Sequence, residues 1–209
     1  MNGVYSLACM VVLVVGVVGC SSTKATRIDP GQVTDLSGTW NDTDARLTAE
    51  TLIQECLQGK WLTDFTAANA GRMPVVIIGS VKNKTFEHIS ADVFMDDLQK
   101  ALLNAGKVQF VADKEERAEV REERQDQQAG NTEPSTITPK GHETGADFML
   151  QGSINGIKES TESQTLMVGK KKSTSFFQVT LELIDLKTNQ KRWIAQKEIK
   201  KSIERGKVF

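Results

Sequence analysis

A mixed α/β sheet of four or five strands, with helices packed against it and an antiparallel hairpin at its C-terminal end, is the fold class this 209-residue sequence predicts. Three observations carry the prediction. Pro74 to Val81 reads Pro-Val-Val-Ile-Ile-Gly-Ser-Val, a β-branched run of the kind that fills a strand covered on both faces. An amphipathic stretch then leads into Val108-Gln109-Phe110-Val111, so strand, helix and strand form a crossover unit with parallel pairing. Near the end, Phe177, Val179, Leu181 and Leu183 alternate with Gln178, Thr180 and Glu182, which gives one strand an apolar face and a wet one.

At the N-terminus, Leu7 to Val18 is apolar apart from Gly16. A spanning helix needs about 20 such residues, so this length suits the core of a signal peptide. The run Val17-Val18-Gly19-Cys20 sets small residues before a cysteine, as lipoprotein processing and acylation of the thiol require. Residues 1–19 are therefore expected to be a lipoprotein signal peptide and Cys20 the lipidated first residue of the working protein. Met1 to Tyr5 carries no Lys or Arg, a departure from the usual positive start. Residues 20–34, with Ser21-Ser22-Thr23-Lys24 and Pro30-Gly31, read as a short flexible tether, and 35–209 as one globular domain.

Within that domain, Ala49, Leu52, Ile53, Cys56 and Leu57 recur at helical spacing, with Asn41 or Thr43 as N-cap and Gly59 as the stop. Trp61, Leu62 and Phe65 form an apolar patch expected under the first strand, itself taken as the centre of the sheet. Lys82-Asn83-Lys84-Thr85 reads as the turn that follows. Ser90 caps the next helix, whose stripe is Phe94, Leu98, Ala101, Leu102 and Ala105, and Gly106 ends it. Asp113 to Gln128 is helix-prone but has almost nothing to bury, so an exposed helix is expected. Gly130 to Gly145 reads as a long surface loop ending in one helical turn, and Asp147 to Ile154 as a third strand. Lys158 to Ser175 reads as a polar excursion holding Lys170-Lys171-Lys172. After the alternating strand, Lys187 to Gln190 turns the chain, and Lys191 to Lys200 returns with Trp193 and Ile199 as anchors.

Composition excludes more than it selects. With 26 Lys and Arg against 27 Asp and Glu the net charge is −1, which gives no reason to expect nucleic acid as a partner. Cys9 leaves with the signal and Cys20 carries lipid, so Cys56 has no disulfide partner and reads as a small core hydrophobe. His88 and His142 are far apart and neither has a Cys or carboxylate at metal-ligand spacing. No Gly-x-Ser-x-Gly elbow or Gly-rich phosphate loop is present, and Glu115-Glu116 and Glu122-Glu123 lie among arginines as helix-surface ion pairs would. The expectation is a binding module with no catalytic residues, metal, cofactor or small-molecule substrate. Lys170 to Lys172 has two readings, a contact with anionic lipid or glycan and a solvated hairpin tip that resists aggregation.

Several stretches, in this order and spacing, resemble the penicillin-binding-protein activator LpoB family. They are Asp35-Leu36-Ser37-Gly38-Thr39-Trp40-Asn41-Asp42, Val81 to Thr85, Leu102-Leu103-Asn104-Ala105-Gly106-Lys107, Gly145-Ala146-Asp147-Phe148-Met149-Leu150-Gln151-Gly152, Leu181 to Leu186, and Arg192-Trp193. The resemblance covers most of 35–200. It implies a palmitate-bearing outer-membrane lipoprotein, facing the periplasm, that binds a bifunctional peptidoglycan synthase and raises its glycosyltransferase and transpeptidase output by contact. Ser21 after the cysteine suits sorting to the outer membrane. The family's best-known members have a long Pro-rich tether, whereas Cys20 to Asp35 spans only about 50 Å at full extension. The alternative function is a lipoprotein of the same fold in an envelope assembly or secretion complex, like curli-secretion and TolB-type domains. For the contact surface, Lys82, Asn83, Lys84 and Thr85 with the start of the following helix are the candidates, because a loop at a strand end beside a rigid element is a common recognition site.

Overall fold

Five strands form one sheet in the order β2-β1-β3-β4-β5 in the computed structural model, which describes residues 26–29, 31–33, 37–165 and 168–208. The expected signal peptide, Cys20 and most of the tether lie outside the described residues. The chain divides into two compact units, Met1–Gln32 and Val33–Phe209. In the first, the Gln32 N–H donates to the Asp29 carbonyl at 3.0 Å and closes a tight turn. The sheet and its helices belong to the second.

The strands are β1 (Val75–Lys84), β2 (Gln109–Val111), β3 (Phe148–Thr165), β4 (Val168–Asp185) and β5 (Lys191–Val208). β1 pairs in parallel with β2 and with β3, and β3, β4 and β5 are antiparallel. The predicted mixed sheet and C-terminal hairpin are both present. The centre of the sheet, however, is β3 rather than β1, because β3 alone bridges the parallel and antiparallel halves. β2 reaches only as far as Ile77, so the rest of β1 has an open edge on that side.

Four α-helices accompany the sheet: α1 (Asp42–Gln58), α2 (Lys60–Ala68), α3 (Ala91–Asn104) and α4 (Lys114–Asp126). Asn41 caps α1 in a reciprocal capping box with Asp44, as its side-chain chemistry predicts. Gly59 ends α1 in extended backbone, and the chain re-enters helix at once. The Trp61 indole N–H donates to the Cys56 carbonyl at 2.8 Å, tying the two helices together. Trp61 and Phe65 both meet Phe148 edge-on, at 5.4 and 5.3 Å between ring centres. The patch thus lies on helix α2 and packs under β3 rather than under the first strand. Gly106 closes α3 in the left-handed region, at φ 64°, where glycine carries no steric penalty.

Alternation places Phe148, Leu150, Gly152 and Ile154 of β3 on the same face as Phe177, Val179, Leu181 and Leu183 of β4. Leu52 of α1 and Phe94 and Leu98 of α3 join this buried cluster. Gly152 is required by packing, since a Cβ there would overlap the Thr180 carbonyl oxygen and stand 2.8 Å from Leu181 Cδ2. α4 contributes nothing to the core: none of its residues is buried, in line with its sequence. Its Arg121 and Arg124 pair with Glu143, across the segment that was expected to be open loop, rather than with glutamates of their own helix. That segment holds a wide turn at Gln127–Asn131 and a short 3-10 turn at Pro134–Thr136.

Two expectations are corrected here. Lys82 to Lys84 is not a turn but the end of β1, paired with Ser153 to Asn155. Lys158 to Ser175 is not a polar excursion either. β3 runs on to Thr165 and β4 begins at Val168, in unbroken register from Lys158↔Ser175 to Thr165↔Val168. Backbone ladder bonds hold this stretch extended, and Glu159 to Glu162 and Lys171 to Thr174, none of them buried, lack the apolar alternation by which a strand is recognised.

Candidate partner-binding site

The end of β1 and the segment after it form a small knuckle fastened by its own side chains. Asn83 Oδ1 accepts the Thr85 N–H at 2.9 Å and lies 2.8 Å from Thr85 Oγ1, while Asn83 Nδ2 donates to the Glu87 carbonyl at 2.8 Å. The Glu87 N–H in turn donates to Thr85 Oγ1 at 3.1 Å. From the other side, the Trp40 N–H donates to Glu87 Oε2 at 2.9 Å, and the Trp40 indole meets Phe177 edge-on at 5.6 Å. Thr85 also packs on β3, where a Cβ at Gly156 would stand 3.0 Å from Thr85 Cγ2.

The structure therefore divides the four predicted residues into two kinds. Asn83 and Thr85 spend their polar groups inside the knuckle. Lys82 and Lys84 alternate with them onto the sheet face opposite the helices, beside Ser153 and Asn155. That face is open and polar, and its shallow groove is walled by Ser80, Lys82, Lys84, Gln151 and Glu182.

What sequence reasoning missed is Phe86. Its side chain is 93% exposed at the summit of the knuckle, and Ile157 nearby is 60% exposed. An apolar cleft joins the two, floored by Gly156 and Phe177. The available signal was an aromatic set among polar neighbours, Lys84-Thr85-Phe86-Glu87, outside any helical or strand stripe. The backbone that carries this exposed aromatic is fastened by the hydrogen bonds of Asn83 and Thr85.

Other places offer no chemistry of their own. A cleft of about 660 Å³ lies along the open edge of β1 between α3 and the start of α4, and Ile77, Met95, Asp92, Asp96 and Glu115 are among its walls. It brings no histidine or cysteine together. No group of three or more His, Cys, Asp or Glu suited to a metal occurs among the described residues. Burial pushes the Cys56 thiol up to about 12, only partly offset by Trp61, so it is a core residue and not a nucleophile. His88 and His142 are exposed and apart. At the opposite end of β1, Asp147 takes a two-pronged contact from Arg72, at 2.9 and 2.8 Å, and accepts the Val75 N–H at 2.8 Å. The Arg72 hydrogen bonds hold its carboxyl below the usual range, helped by that backbone N–H and opposed by partial burial. This is a structural clamp on the first turn of the sheet.

The sequence profile described as the peptidoglycan-synthase activator LpoB matches residues 44–199, from the first turn of α1 well into β5. The chain belongs to the LpoB family. Among solved structures, the LpoB C-terminal domain from Salmonella enterica is 18% identical, with 75% of this chain and 98% of that one covered at a TM-score of 0.40. The corresponding domain from Escherichia coli gives 16% identity, the same coverages and the same score. An NMR structure of E. coli LpoB gives 14% identity over 91% of this chain and 86% of that one, at 0.37. No curated protein matches the chain. The LpoB match includes Asn83 to Glu87, the Arg72–Asp147 clamp, strands β1 to β4 and the first half of β5.

Proposed function

We propose that this LpoB-family protein is a lipoprotein held through Cys20 in the outer membrane, facing the periplasm. There it binds a bifunctional peptidoglycan synthase and raises its output by contact, with no catalytic group of its own. The family match across the folded core carries this reading. The knuckle supports it, since an exposed aromatic beside an apolar cleft, flanked by Lys82 and Lys84, has the make-up of a protein-recognition site. Phe86 would enter a pocket of the synthase, and the two lysines would steer and orient the encounter. The tether, about 50 Å when extended, and a domain of roughly 40 Å set how far from the membrane the synthase can be met.

The test is the glycosyltransferase rate of a purified bifunctional synthase on lipid II, with and without residues 21–209. Stimulation is expected, with Phe86→Ala weakening synthase binding about tenfold or more and Lys82→Glu with Lys84→Glu weakening it less. A synthase that neither binds nor changes rate overturns the reading. Incorporation of labelled palmitate, lost in Cys20→Ala, tests the anchor separately.

A further inference from the structure

The long strands β3, β4 and β5 extend past the helices as a three-stranded arm. At its base, on the helix side of the sheet, lies a groove of about 180 Å³ walled by Gly38, Lys158, Lys171, Ser173, Ser175 and Arg205. Ile203 also lines it, and a Cβ at Gly38 would stand 3.2 Å from Ile203 Cδ1, so the segment 37–39 lies close against the strands. The charge here differs from that of the whole molecule. Residues 158–175 and 198–208 hold eight Lys and Arg against four Glu, whereas the entire chain is at −1. Carboxylates compensate some of these cations: Lys171 pairs with Glu162 and Lys172 with Glu204. The side chains of Lys158 and Arg205 have no ion-pair or hydrogen-bond partner among the described residues, and both line the groove.

We infer that this basic groove and arm dock on the phosphate headgroups of an anionic lipid surface. Two further facts favour a membrane over a soluble partner. The chain enters the domain along this groove, at Ser37 to Thr39, so the groove is where a membrane-held tether delivers the domain. Ser37 lies only 17 steps along the chain from Cys20, about 60 Å at full extension, which keeps the groove within reach of the bilayer that holds the lipid. Hydroxyls of Ser173 and Ser175 add hydrogen-bond donors of the kind phosphate oxygens accept. The inference rests on Cys20 as the anchor only for this geometry; the groove's charge stands without it.

The test uses residues 21–209, which contain the whole hydrophobic core and no acyl chain. Sedimentation is measured with vesicles of phosphatidylethanolamine and phosphatidylglycerol, and with vesicles of phosphatidylcholine alone. Binding is expected only to the anionic vesicles and should fall with added salt. Each basic side chain at such a surface strengthens partitioning about fivefold. Lys158→Glu with Arg205→Glu should therefore weaken it more than tenfold, while Lys187→Glu with Arg192→Glu at the far end of the hairpin should not. Circular dichroism confirms that the variants are folded. Equal binding to neutral vesicles, no binding at all, or full retention in the groove variant overturns the inference. So does displacement by inorganic phosphate beyond that by chloride at equal ionic strength, which would mark a single-phosphate site. Loss of synthase binding in the groove variant with vesicle binding intact would assign the surface to protein instead. Palmitate labelling of Cys20 is independent of every one of these outcomes.

Discussion

β4 is one strand by hydrogen bonding and two by chemistry. From Ser175 to Leu183 every second side chain is buried in the core, while from Lys171 to Thr174 none is. Its partner β3 divides at the same level: Ile154 is fully buried, and Glu159 to Glu162 are exposed. The ladder runs across the boundary without a shift. A sheet with polar residues on both faces specifies its own register weakly, so the outer half takes its register from the inner half, where a slip would turn Val179 and Leu181 into water. Burial fixes the pairing in one region, and continuity transmits it to the other.

The strongest way to break this comparison is to remove core from one half only. Leu181→Ala should cost about 4 kcal/mol in urea unfolding, because Leu181 is fully buried among helices and strands that cannot collapse around it. Thr161→Ala in the arm should cost under about 0.5 kcal/mol. Comparable losses would mean that the arm carries stability of its own. Next in size is an ion pair between β5 and the start of α1, Lys201 Nζ to Asp44 Oδ2 at 2.5 Å, with side chains 10% and 6% exposed. Lys201→Ala leaves a carboxylate buried at the start of α1 and should cost about 3 kcal/mol. The exposed Lys171–Glu162 pair should be worth under about 1 kcal/mol when cut by Lys171→Ala, as chemical denaturation of both variants would show.

Gly152→Ala sharpens the comparison further. It forces β3 away from the Thr180 carbonyl in the inner half and should cost about 2 kcal/mol, whereas Gly206→Ala, with open space around it, should be nearly silent in the same assay. The smallest effect expected is on acid sensitivity. Asp147 has its pKa depressed by Arg72, so its contribution is present above the unfolded value, near 3.8, and is lost as pH falls through the folded one. Asp147→Asn should flatten the acid limb of the stability curve below about pH 4 and leave the arm's amide exchange unchanged.

The same division explains what could be read beforehand. Phe177 to Leu183 and the Phe94, Leu98, Leu102 stripe are legible because burial imposes a period on composition, while Ala105, expected on that stripe, is exposed just past the end of α3. The α1 start is legible because Asn41 and Asp44 each satisfy the other's backbone N–H. Glu159 to Glu162 and Lys171 to Thr174 are illegible for the converse reason: none of them is buried, so no core imposes an alternation there. Lys82-Asn83-Lys84 has the composition of a turn, yet its pairing is decided by β3, more than sixty residues away in sequence. Of the predicted contact residues, position along the chain was legible and direction was not. Only the backbone pairing shows that Lys82 and Lys84 face out while Asn83 fastens the knuckle. α2 is nine residues long and follows Gly59 without a side-chain cap, so it shows neither the length nor the entry signal of a helix.

The two fastenings at the entrance of the domain also have a mechanical meaning. The Thr39 carbonyl accepts from Lys201 Nζ at 3.2 Å, and the Trp40 N–H donates to Glu87. Tension drawn along the chain from its N-terminal side is thus divided at these adjacent residues between the edge strand β5 and the knuckle that bears Phe86. A pull on that side loads the very element that bears Phe86. Slack and taut states of the entering chain therefore differ in the force on the knuckle.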